Sequence, residues 1–159
     1  MTIGILKETQ KGEKRVYISP KIAKAFIDKG FDVIVEEDAG KSSKYDNSDY
    51  KEVGARFEKR GAVYKECEVL IKINPYDEDG LKLFDDHHIL ICQLFHKSNP
   101  ELVKEIAARG ATVLSLDALP RITRAQDMDV LSSQNNLAGY KAVIKGAYEM
   151  TKIFPLMMT

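Results

Sequence analysis

Five short runs constrain the fold of this chain more than any other feature: TIGIL (2–6), DVIVEE (32–37), EVLIKI (68–73), HILICQL (88–94) and ATVLSL (111–116). Several are apolar at consecutive positions, the pattern of strands covered on both faces in a parallel sheet. Helical patterns separate them. Ser19 and Pro20 form a start signal, Ile22, Phe26 and Ile27 share a face, and Gly30 supplies the stop. SNPELVKEIAARG repeats the scheme, with Ser98 and Glu101 as a capping box, Leu102, Val103 and Ile106 as the stripe and Gly110 as the end. Further helices are expected near 48–54, 60–66 and 78–85. Strand and helix in alternation predict an α/β fold of three layers, a mostly parallel sheet with helices on both faces.

The last segment differs. From about Leu131 to Phe154 the apolar spacing is helical, and Ser133, Ala138, Gly139, Ala142 and Gly146 are small enough for another backbone to approach. Each interior glycine costs roughly 1 kcal/mol relative to alanine, which close packing would offset. Pro155 breaks the pattern and FPLMMT ends on Leu and Met, so a longer protein is expected to continue from here. The chain is therefore expected to comprise an α/β domain over 1–130 and, over 131–159, a long connecting helix with the start of a linker.

Composition narrows the function. Apolar residues make up 44% and charged residues 30%, with 24 Lys plus Arg against 24 Asp plus Glu, so no basic field exists to attract nucleic acid or anionic lipid. No apolar run approaches the ~20 residues of a membrane span. Cys67 and Cys92 sit in apolar surroundings, and a reduced, cytoplasmic setting is the expectation. None of the ten glycines forms G-x-G-x-x-G, and no G-x-x-x-x-G-K-[ST] occurs. By itself the chain is expected to hold no nucleotide strongly, and to supply one wall of a cleft instead.

Several residues at predicted strand ends could carry chemistry. Arg15, in KGEKRVYISP, could grip a carboxylate through two parallel hydrogen bonds or pair with Glu13 on the surface; the surface pairing is favoured. Lys72 is expected to snorkel to water and Asn74, before Pro75, to serve a turn. His96 could shuttle a proton or stand as a solvated loop residue. A metal site at His87 and His88 is rejected, because neighbours on a strand point to opposite faces and no third ligand follows. Between 120 and 129 the density of polar groups is unusual. A carboxamide offers one acceptor and two donors, which Arg121, Gln126 and Asp129 could serve together; ion pairs of Arg121 and Arg124 with Asp127 and Asp129 in water are an equal alternative.

PRITRAQDMDVLSSQNNLAGYKAVIKGAYEMTKIFPLMMT closely resembles the stretch of proton-translocating NAD(P) transhydrogenases that leads into the NAD-binding half of their soluble NAD(H)-binding, alpha-type component. IGILKETQKGEKRVYISP resembles the N-terminus shared by that component and by alanine dehydrogenases. The resemblance implies a flavodoxin-like fold similar to formate/glycerate dehydrogenase catalytic domains. It implies that Arg121, Gln126 and Asp129, followed by Ser132, lie against the nicotinamide end of NAD(H). In alanine dehydrogenases an arginine matching Arg15 and a histidine matching His96 serve the substrate; the catalytic lysine of their K-V-K-E-P is replaced here by Asn74. The resemblance further implies a following glycine-rich Rossmann domain, NADP-binding and membrane components as partners, and a homo-oligomer. NAD(H) is thus expected in the full-length protein, with no metal. An alanine dehydrogenase domain and a standalone binding module are the rival expectations.

Overall fold

The computed structural model describes residues 1–152, and the chain divides into two compact units, Met1–Ala118 and Leu119–Thr159. In the first, β1 (Thr2–Ile5), α1 (Pro20–Ile27), β2 (Asp32–Glu36), α2 (Asn47–Glu52), β3 (Arg56–Glu58), α3 (Arg60–Glu66), β4 (Val69–Ile71), α4 (Glu78–Leu81), β5 (Ile89–Cys92), α5 (Pro100–Ala108) and β6 (Thr112–Ser115) follow in order. All strand pairs are parallel, in the order β3-β2-β1-β4-β5-β6. Without the edge strand β3 this is the flavodoxin-like arrangement expected; with it, the order is that of doubly wound dinucleotide folds.

The consecutive apolar positions divide as a two-sided sheet requires. Ile3, Ile5, Val33, Val35, Val69 and Ile71 enter one core with Ala23 of α1 and Tyr50 of α2. Ile34, Leu70, Leu90 and Cys92 enter the other with Val63 and Tyr64 of α3, Leu81 of α4 and Ile106 of α5. Gly4 is the small residue that lets α3 close on β1: a Cβ there would lie 2.8 Å from Val63 Cγ1 and 3.0 Å from Cys67 Sγ. Both cysteines are buried and free, and burial pushes their thiols up to about 12, so they act as small apolar residues.

Several local expectations change. Ser19 is the N-cap of α1 and Pro20 its first residue, as expected, but the Ser19 side chain makes no cap bond. The N-cap of α5 is Asn99, not Ser98, because Pro100 takes the first helical position; the Asn99 amide instead donates to the carbonyls of Leu94 and Phe95. Strand β3 is absent from the sequence-based expectation, since Phe57 is its only large apolar side chain. In the second unit, a 3-10 segment at Thr123–Met128 leads into α6 (Val130–Glu149). That helix ends before Phe154, which with Pro155 lies outside the described residues. The polar segment from Arg121 to Asp129 therefore goes with the helix and not with the sheet domain. Among the described residues no helix is long and apolar enough to cross a membrane.

The connection from β1 to α1 has no regular structure, yet its backbone is tied at several points. Ser43 Oγ donates to Lys14 O at 2.7 Å and accepts from Val16 N at 3.0 Å, and Tyr50 Oη donates to Ile18 O at 2.7 Å. Glu13 accepts from Arg15 Nε at 2.8 Å and Nη2 at 2.6 Å, and this pairing holds its carboxyl at about 2 against an ordinary 4.5. A depressed folded-state pKa contributes stability that is complete above pH 4.5 and disappears as pH falls toward 2. Urea midpoints of wild type and Glu13→Gln should therefore differ at pH 6 and converge as pH drops through that window. Gly4→Ala, with no room for its methyl, should cost about 1–3 kcal/mol in the same unfolding experiment at neutral pH.

Candidate functional site

In an open parallel sheet, ligands gather beyond the strand C-termini where neighbouring connections run in opposite directions, here between β1 and β4. A cleft of about 720 Å³ lies there, lined by Thr9, Gln10 and Arg15 from the β1 connection, Asn74 and Asp77 after β4, and Phe95 after β5, among others. Glu8 fixes its geometry. The carboxylate accepts the N–H groups of Ile73 and Asn74 and the Asn74 amide, the last at 3.1 Å. The same Asn74 amide donates to Glu13 Oε2 at 3.1 Å, and Glu13 holds Arg15. Asn74 is thus more than a turn residue: it is buried and links two carboxylates that organise the cleft. Arg15 lines the cleft and makes the expected pair with Glu13.

Lys72 does not snorkel. It is 3% exposed, with its ammonium 5.4 Å from the Tyr76 ring centroid, and burial pushes its pKa down against the opposing pull of Glu8 and Asp77. The Tyr76 ring, itself part of the core, lies against its ammonium. Glu36, at the end of β2 where dinucleotide folds place a ribose-binding acid, is buried and taken by Lys7 N at 2.9 Å and Arg60 Nε at 3.0 Å.

His96 lies beyond β5 as expected, on a second cleft of about 590 Å³ shared with Phe95, Lys97, Ser98, Asp117 and Ala118. Its Nδ1 is 3.9 Å from Asp117 Oδ2. Asp117, partly withdrawn from water, is nonetheless held below the usual carboxylate range by hydrogen bonds from Ser115 and from backbone N–H groups of Phe95 and Leu94. Phe95 adopts φ 50°, a left-handed conformation, while its carbonyl accepts from Ser98 and Asn99 at the start of α5. No motif announces Glu8, Phe95 or Asp117; only polar residues close behind a buried strand hint at the first.

In the second unit, Arg121, Gln126, Asp129 and Ser132 come together on one cavity of about 450 Å³, with Pro120, Ile122 and Ala125. Asp129 is also the N-cap of α6. Its Oδ1 accepts from Leu131 N and Ser132 N, both at 3.0 Å, and its Oδ2 from Ser132 Oγ at 2.6 Å. The Ser132 bonds keep this carboxyl below its ordinary range. No ion pair joins Arg121 or Arg124 to Asp127 or Asp129 within 4.0 Å among the described residues.

The expected opposition of His87 and His88 does not occur. Both precede β5, in a turn, and their rings stack with centroids 3.9 Å apart at 34°.

The family described as "Alanine dehydrogenase/PNT, N-terminal domain" matches residues 4–138. The whole chain is 35% identical to NAD(P) transhydrogenase subunit alpha of Haemophilus influenzae, of which it covers 31%. Identity to alanine dehydrogenase 1 of Staphylococcus aureus is 28%, over 93% of the chain and 39% of that protein. The crystal structure of transhydrogenase from Sinorhizobium meliloti matches all of the chain, and 48% of its own, with 38% identity and a TM-score of 0.91. The chain thus spans less than half the length of these relatives. From the match over residues 4–138, together with the parallel sheet shared with the Sinorhizobium protein, the chain belongs to the alanine dehydrogenase/PNT N-terminal domain family.

Proposed function

We propose that this chain is the N-terminal domain of the NAD(H)-binding, alpha-type subunit of a proton-translocating NAD(P) transhydrogenase, in which hydride passes between NAD(H) and NADP(H). The observation that carries the proposal is the convergence of Arg121, Gln126, Asp129 and Ser132 on one cavity. These groups fit a carboxamide. A carboxylate has about four acceptor positions, and the cap bonds of Asp129 use three, so one is left for an amide N–H. The Arg121 guanidinium donates to the amide oxygen, and the Gln126 side chain serves either end. Bound NADH supplies the hydride; the chain supplies orientation and the exclusion of water. No residue here acts as acid or base in that step.

The rest of the proposal concerns the longer protein. A Rossmann domain anchors the pyrophosphate, a role for which this chain has no glycine-rich turn; Glu36, where a ribose-binding acid would stand, is already taken by Lys7 N and Arg60 Nε. NADP-binding and membrane components complete the enzyme, in a homo-oligomer facing the cytoplasm.

Amino-acid dehydrogenation is the second reading, supported by Arg15 on the cleft and His96 beside Asp117. Against it, Asn74 stands at the catalytic lysine's position, and Lys72, two positions earlier, is buried beside Tyr76. Losing that ammonium removes the group that would polarise a keto carbonyl.

Two measurements on the full-length protein test the proposal. Arg121→Ala should weaken NADH binding or slow transfer by roughly tenfold or more, the worth of a hydrogen bond from a charged donor, with an unchanged melting temperature; a variant that unfolds would make the loop structural. NADH oxidation driven by pyruvate should be negligible, and brisk turnover would hand the function to the second reading.

A further inference from the structure

We propose that Asp85, His87 and His88 form a binding site for a borderline transition-metal dication such as zinc, at the turn between α4 and β5. One ligand atom from each lies within 4.8 Å of the other two. The turn precedes β5, at the edge of the sheet opposite to the strand C-termini where the clefts lie.

His88 is the buried pole of the site. It is 1% exposed, and its Nε2 lies 2.8 Å from the carbonyl oxygen of Tyr64. A carbonyl only accepts, so Nε2 carries the proton and Nδ1 is left with its lone pair. Metal-bound histidines are commonly oriented in this way, with the distal N–H donated to a backbone carbonyl. Asp85 N donates to that Nδ1 at 3.1 Å, a contact that a metal–nitrogen bond would replace.

Three potential ligand atoms then converge: Asp85 Oδ1 is 3.0 Å from His88 Nδ1 and in direct contact with His87 Nδ1, while the two rings lie tilted at 34° with centroids 3.9 Å apart. With the proton on Nε2, each imidazole can turn an Nδ1 lone pair toward an ion held beside the Asp85 carboxylate. In tetrahedral zinc sites, bonds of about 2.0–2.2 Å to nitrogen and oxygen put neighbouring ligand atoms roughly 3.3 Å apart; the 3.0 Å between Asp85 Oδ1 and His88 Nδ1 is near that value, and the exposed His87 ring can turn to complete the set. Two imidazoles and one carboxylate suit zinc over calcium or magnesium, which prefer all-oxygen shells. Water fills the remaining position, because Asp85 and His87 face solvent with side chains 59% and 54% exposed. The role is a clamp: it ties the turn to Tyr64 of α3 through His88.

Zinc titrated calorimetrically into the tag-free 159-residue chain should bind at one equivalent and raise the melting temperature. His87→Ala and Asp85→Ala alter exposed side chains and leave the His88–Tyr64 bond in place, so both should fold. Each should lower zinc affinity at least tenfold and abolish the thermal shift, and calcium should do neither. Absence of saturable zinc binding in the wild type, or equal affinity in both variants, would overturn the assignment.

Discussion

A parallel sheet leaves its central strands to end side by side, and where the connections of β1 and β4 part, backbone N–H groups lose their ladder partners while still at the edge of the core. Glu8 meets this demand. Its carboxylate takes the N–H groups of Ile73 and Asn74 together, at a place where an unsatisfied buried donor costs about 1–3 kcal/mol. The bond crosses from one connection to the other and sets the width of the crevice between them. Asn74 extends it to Glu13, and Glu13 to Arg15, so that one polar chain fixes the wall from the sheet to the solvent. The negative charge of Glu8 also eases the burial of Lys72 beneath it. A long connection without secondary structure is ordered here because its polar groups are spent on such bonds and not on water.

What can be read from the sequence follows from the range of the forces involved. Strands covered on both faces declare themselves in consecutive apolar residues, and β1, β2, β4, β5 and β6 are all legible. Edge strand β3 is not, since an edge needs little apolar side chain and Arg56 and Glu58 flank its single Phe57. At α5 the local rule is sound but its register slips: Pro100 belongs at the first helical position, which moves the cap to Asn99 and away from Ser98. As strand residues the two histidines would point apart, and periodicity gives no sign of the turn that stacks them.

The candidate site divides in the same way. The residues from Arg121 to Ser132 are close in sequence, so their assembly on one cavity is a local event that a dense polar segment can announce. Glu8 meets Ile73 and Asn74 across 65 and 66 positions, and Asp117 meets Leu94 across 23. Such pairings depend on strand order, which the sequence leaves open. Lys72 shows the cost of judging a residue by type: lysines at strand ends usually reach water, but this one is buried with its ammonium over the Tyr76 ring.

Asp129 couples the proposed cofactor contact to the folding of α6. Three of its acceptor positions cap the helix, which fixes the carboxylate before any ligand arrives and leaves little side-chain entropy to lose on binding. That preorganisation lasts only while the first turn of α6 persists. None of the helix's residues is buried, and Gly139 and Gly146 lie within it with no neighbouring atoms near their Cβ positions. A helix of this length with two interior glycines is marginal in water. Its exposed Leu137, Tyr140, Ile144 and Tyr148 recur at helical spacing along one side, and covering that side would hold the helix. Under the proposed function, a partner packed there would also steady the Asp129 cap, so the proposed amide contact at Arg121 and Asp129 would be linked to assembly through the cap and not only through direct contact.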